Sequence, residues 1–220
     1  MLPSRAVLSQ QQLVSVPAMK EFDGGTRVKV IAAVMPRAMS WLRWSSLVVW
    51  IAGFRYFMIL TQTDAAAIGT PSAAAMWLVE WFACWVVASV LIVGVVQMSM
   101  GPLKNGLLVA AIITAILVGA CWVDLALLAT PGVGNRTLSI SLGGGMGTVL
   151  LFVVWGLVWR FQKKIIHWAH AHKNGTGEMP PEIQKLNYGS YVAARAAFYI
   201  SFPMIFLMAA SSHFPFLSGI

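Results

Sequence analysis

Charge is scarce in this 220-residue chain. Lys, Arg, Asp and Glu together make up 10% of it, against 59% hydrophobic residues, and the mean hydropathy is +0.77. A soluble domain needs about a quarter of its residues charged to cover its surface, so a water-soluble globular fold is excluded. Cysteine is scarcer still. Cys84 and Cys121 are the only two, and both fall within apolar runs, which rules out a disulfide scaffold. Acidic residues number seven against fifteen basic ones, a formal charge of +8. In so apolar a chain that excess bears on topology, and no nucleic-acid partner is expected. Residues 1–40 hold no apolar stretch long enough for a cleavable signal, so the N-terminus is expected to stay in the mature protein.

What is abundant is unbroken apolar sequence. A bilayer core about 30 Å thick requires about 20 residues of helix, and five runs meet that length: 41–60, 75–99, 106–130, 138–160 and 189–212. They are continuously apolar and do not alternate, which argues against barrel strands and for helices that satisfy their own backbone groups in lipid. The expected fold is all-α, a polytopic bundle of five transmembrane helices over residues 41–220. Turn residues punctuate the connections, as in TQTDAAAIGTPSA, GPLKNG and TPGVGNRT. Basic residues gather before the first run (Arg5, Lys20, Arg27, Lys29, Arg37, Arg43), at Lys104, and between runs four and five (Arg160, Lys163, Lys164, Lys173, Lys185). Only Arg136 falls on the other side, so the N-terminus is expected in the cytoplasm and the C-terminus outside it. Residues 1–40 form a basic lead-in with two readings, an interfacial helix on anionic headgroups or a flexible segment. Pro36 is expected to interrupt any such helix.

Ionic groups at membrane depth cost roughly 2.5–3.5 kcal/mol each on insertion scales, so each needs a partner, a cavity or a ligand. At about 1.5 Å of rise per residue, Arg55, Glu80 and Asp124 fall in one layer near the external ends of their helices. That layer predicts an intramembrane ionic cluster. Its functional reading is a proton or quinone-headgroup site, and its bland reading is a salt bridge that fixes helix register. Arg195, near the cytoplasmic end of the fifth run, is expected to snorkel. Cys84 and Cys121 also match in depth, as buried thiols.

Glycine and histidine supply the remaining candidates. SLGGGMGT opens the fourth run, and Gly143, Gly144, Gly145 and Gly147 predict close helix packing. The lysine of a phosphate loop is missing there. In HWAHAH, His167 and His170 share a helix face and form a two-ligand metal candidate that lacks further ligands. His213 closes the fifth run, as a haem-ligand candidate or a simple helix cap. Ten tryptophans divide between interfacial and deeper positions, the deeper ones suited to packing or to contact with pigments, lipids or other subunits. No catalytic residues are assigned.

The stretch GGGMGTVLLFVVWGLVWRFQKKII, then AARAAFYISFPMIFLMAASSHFP, resembles the last third of the membrane domain of the bacterial membrane-bound urate hydroxylase family. The first run, WLRWSSLVVWIAGFRYF, is similar to that family's opening span and, more distantly, to the membrane protoporphyrinogen oxidases. The similarity covers about half the chain. It implies a bacterial inner-membrane protein with His213 at the family's terminal histidine. At the family's other histidine, suited to a haem ligand, this sequence has Arg43, and C-x-x-C-H is absent. The expectation is therefore a non-catalytic integral membrane subunit of a larger bioenergetic complex, respiratory or photosynthetic, with a role in electron transport. It requires no cofactor of its own and contacts other membrane proteins, lipids, and pigments or quinone. The alternative is a b-type haem or quinone-reactive electron carrier using His213 with a ligand from another subunit. A transporter routed through Arg55, Glu80 and Asp124 lacks the broken helices and repeats of that class.

Overall fold

Long apolar segments in lipid satisfy their backbones as helices, and local capping sets where each one starts. In the computed structural model, residues 21–103, 105–172, 174, 179–215 and 217 are described, and residues 1–20 of the basic lead-in lie outside them. Helix α1 spans Gly24–Ala67; the Asp23 carboxylate caps it by accepting from the Thr26 amide at 3.0 Å. Hydrogen bonding from Thr26, first its side chain and then its amide, holds the Asp23 carboxyl below its ordinary pKa of 3.8. Gly69, at φ +73°, supplies the left-handed residue after the helix end. Helix α2 spans Ala73–Ser99. Helix α3, Gly106–Leu128, is capped by Asn105, which accepts from the amides of Leu107 and Leu108. Helix α4, Asn135–Val153, passes through one π turn at Val154–Val158 into α5, Trp159–Ala171. Helix α6, Pro181–Ala210, begins with proline in its first turn, where no amide partner is lost.

Five of these segments are long and apolar enough to cross a membrane, α4 and α5 counting as one, so the protein is a multi-pass membrane protein. The fourth is central: 61% of its apolar window is buried, against 11–33% for the other four. It packs against α6, α2 and α1, while α3 lies mainly on α2.

The helices outrun the expected spans. Helix α1 starts 17 residues before position 41 (41 minus 24) and continues through Pro36, where an interruption was expected. Tertiary packing accounts for this. Val28, Ile31 and Ala32 are buried against Ile165, Trp168 and Ala169 of α5, so both polar extensions stay helical by covering each other.

Candidate functional site

The interior of the bundle is built where tryptophans of α2 meet glycines of α4. Trp77, Trp81 and Trp85 recur every four residues, which puts them on one face of α2, and all three are buried. Trp85 lies directly over Gly145, so closely that a Cβ there would overlap the indole. Gly143 does the same for α6: a Cβ would come within 2.8 Å of Met208 Cγ and 3.2 Å of the Met204 carbonyl oxygen. Gly144 and Gly147 sit at ordinary contact distance from Trp81 and the Met204 sulfur. The Trp81 indole N–H donates to the Ser141 carbonyl at 2.9 Å, and Phe57 and Phe54 pack on the same ring.

Asp124 enters this core from α3. It is fully buried, and one carboxyl oxygen lies 2.8 Å from the Ser141 hydroxyl. The other has no hydrogen-bond partner, and the Trp85 indole N–H faces the carboxyl without reaching hydrogen-bond geometry. Cys84 and Cys121, both free thiols, flank it; the Cys84 sulfur lies 3.6 Å from the Ala120 carbonyl oxygen.

The expected ionic layer is not brought together. Arg55 is exposed, Glu80 is half-buried, and Asp124 faces α4, where its neighbours are Ser141 and Trp85. Among the described residues no ion pair joins the three. The cause is azimuth. Arg55 lies two residues from the inward-facing Phe57, about 200° around α1, so equal depth leaves it on the outer face.

Arg43 has the most elaborate setting of any charged side chain in the described structure. Its guanidinium lies 4.4 Å from the Trp159 ring centroid, 4.9 Å from that of Trp155 and 5.0 Å from that of Trp44. The Trp155 indole N–H donates to the Arg43 carbonyl at 3.2 Å, and Trp44 meets Trp155 edge to face. Three indoles thus supply the stabilisation that a carboxylate would otherwise give. The π turn carries Trp155, and such turns re-aim side chains. This cage was not read from sequence. Its signal is present, because Trp155 and Trp159 are spaced i, i+4 and WLRW brackets the arginine.

His213 is exposed just beyond α6, and the neighbouring Phe214 carbonyl accepts from the Asn135 side chain at the start of α4. From Asn135 to Trp155 is 20 residues, about 30 Å of helix. Arg43 and His213 therefore lie near opposite ends of the bundle and cannot flank one haem, and a guanidinium offers no lone pair to iron. The space between is filled by the tryptophan-glycine core; a void between α1, α4 and α6, lined by Trp50, Phe54 and Gly147 among others, measures only about 60 Å³. His167 and His170 are both exposed on α5, and among the described residues no third metal-ligating side chain joins them.

The sequence profile of the family described as "Urate oxidase N-terminal" matches residues 22–220. No curated protein and no solved structure matches the chain.

Proposed function

From the premise that this chain belongs to the urate oxidase N-terminal family, we propose that it is a non-catalytic integral membrane subunit of a larger bioenergetic electron-transport complex. One observation carries the reading. Arg43 stands where the urate hydroxylase resemblance places a histidine suited to haem, and its cation is held by three tryptophans of the chain itself. On this reading a position suited to a haem ligand has become a packing device. Large apolar side chains on the outside are open to lipid or to neighbouring membrane proteins. Trp41, Trp122, Phe206 and Phe214 are each at least 65% exposed, and aromatic side chains are enriched at protein interfaces. The proposed setting is the bacterial inner membrane, with the N-terminus in the cytoplasm and the partners other integral membrane proteins.

Solubilisation in mild detergent, followed by size fractionation and identification of companion proteins, tests this. The chain is expected to travel with a multi-subunit redox complex. A chain that runs alone from native membranes, or one that carries a Soret band lost on His213→Ala, overturns the reading.

A further inference from the structure

A second feature lies between α3 and α6, along α3 from its first turn to Cys121. Helices α3 and α6 diverge there to leave a cleft of about 820 Å³, open at its side and floored by Met146 of α4. Its walls are apolar, with Ile113, Leu117 and Val118 on α3 and Ile200 and Pro203 on α6. Among the described residues, one cation enters it. Arg195 is exposed in the cleft, with Tyr191 one turn before it and Tyr199 one turn after it on the same face. The guanidinium donates to the Tyr191 phenol oxygen at 2.7 Å and to that of Tyr199 at 3.5 Å. These bonds occupy two of its five N–H donors, and among the described residues no Asp or Glu lines the cleft.

Depth sharpens the question. Lys185 is the last charged residue before Arg195, ten residues or about 15 Å earlier along α6, and no charge follows up to Ala210. The guanidinium reaches back toward Tyr191, toward the polar end of the helix, as an arginine does near a headgroup boundary. A full positive charge with three open donors, in a side-facing apolar cleft without a carboxylate, calls for an anion that arrives from the membrane attached to a hydrocarbon tail.

We propose that this cleft binds one anionic glycerophospholipid. Its phosphate sits on Arg195 between the Tyr191 and Tyr199 phenols, and an acyl chain lies along Ile113, Leu117 and Ile200. The charge favours an anionic lipid over an apolar partner helix, since Arg195 bonds only phenols of its own helix and no carboxylate lines the cleft among the described residues. Pockets for single small-molecule ligands fall at about 300–1,000 Å³, the range of this cleft.

Native mass spectrometry of the full chain, or of the assembly it travels with, tests the assignment. The protein is released from nanodiscs containing either phosphatidylglycerol or phosphatidylcholine. One phosphatidylglycerol is expected to stay bound under conditions that strip phosphatidylcholine. Arg195→Gln should weaken retention about tenfold or more, and Leu117→Trp, which fills the cleft and leaves the charge in place, should also lower it. Equal retention of the two lipids by the wild-type protein, which requires no variant to fold, overturns the proposal. So does undiminished phosphatidylglycerol on Arg195→Gln, or a quinone bound in its place.

Discussion

Gly144 and Gly145 are neighbours on α4, and the structure assigns opposite signs to the same substitution at the two positions. At Gly145 an added methyl falls inside the Trp85 indole, which is fully buried and cannot swing out without displacing its packing on α4. Inserting a methyl into a well-packed core costs about 1–3 kcal/mol, and the upper end applies because the neighbour is a rigid ring. Against this stands a gain of about 1 kcal/mol from replacing glycine with alanine within a helix, so Gly145→Ala should lose about 2 kcal/mol net. At Gly144 the methyl meets Trp81 Cζ2 at 3.5 Å, an ordinary contact, and the helix gain of about 1 kcal/mol stands alone. The two variants should therefore differ by about 3 kcal/mol, about 150-fold in the unfolding equilibrium. The assay is an SDS titration in mixed micelles followed by far-UV circular dichroism. A double-mutant cycle identifies the cause: Trp85→Phe removes the fused ring, so it should restore part of the loss at Gly145 and none at Gly144. Equal midpoints for Gly144→Ala and Gly145→Ala would refute the reasoning.

The remaining predictions use the same titration unless stated. Arg43→Leu abolishes three cation–π contacts and should cost about 2 kcal/mol, whereas Arg43→Lys keeps the charge and should fall between the two; a stable Arg43→Leu sinks the cage. Arg55→Leu and Glu80→Gln should add without coupling, since no ion pair joins them. Asp124→Asn keeps the shape and the contact with Ser141 and should change stability by less than about 1 kcal/mol, and a larger loss would reveal an ionic partner. For Asp23 the folded pKa is depressed, so its contribution to α1 is present above the unfolded value and lost as pH falls through the folded one. Protection of the Thr26 amide, taken relative to its intrinsic exchange rate at each pH, should therefore fall below pH 3.8, and in Asp23→Ala it should be low at every pH.

Much of the architecture is legible from composition alone, because a run of about 20 apolar residues has one common solution in lipid. All five spans, their turns and the glycine run on α4 could be located this way. What sequence supplies poorly is rotation about each helix axis. Rise per residue gives depth, and by depth Arg55, Glu80 and Asp124 do share a layer. Facing needs a contrast between polar and apolar sides, and α2 and α3 are apolar nearly all round. Depth without azimuth therefore produced an ionic cluster, where the fold turns Arg55 outward and Asp124 toward Ser141. For the polar extensions of α1 and α5 the sequence offers a helix as one reading; what it does not supply is that each covers the other.

Arg43 and Arg195 meet the same physical demand in different ways, and the difference bears on what each does. Both are cations in aromatic company within an apolar bundle. Around Arg43 the rings come from two distant segments, Trp44 on α1 and Trp155 and Trp159 beyond α4, so the contact ties those helices together, with Nε buried and its charge met by the rings alone among the described residues. Around Arg195 both phenols belong to its own helix, one turn away on either side, so the contact holds no second element in place. A charge that bridges helices is accounted for by the fold it stabilises. A charge that leans only on its own helix, beside a cleft of about 820 Å³, is accounted for by something outside the chain. Replacing the first should therefore be read in the stability of the bundle, and replacing the second in what the bundle carries out of the membrane.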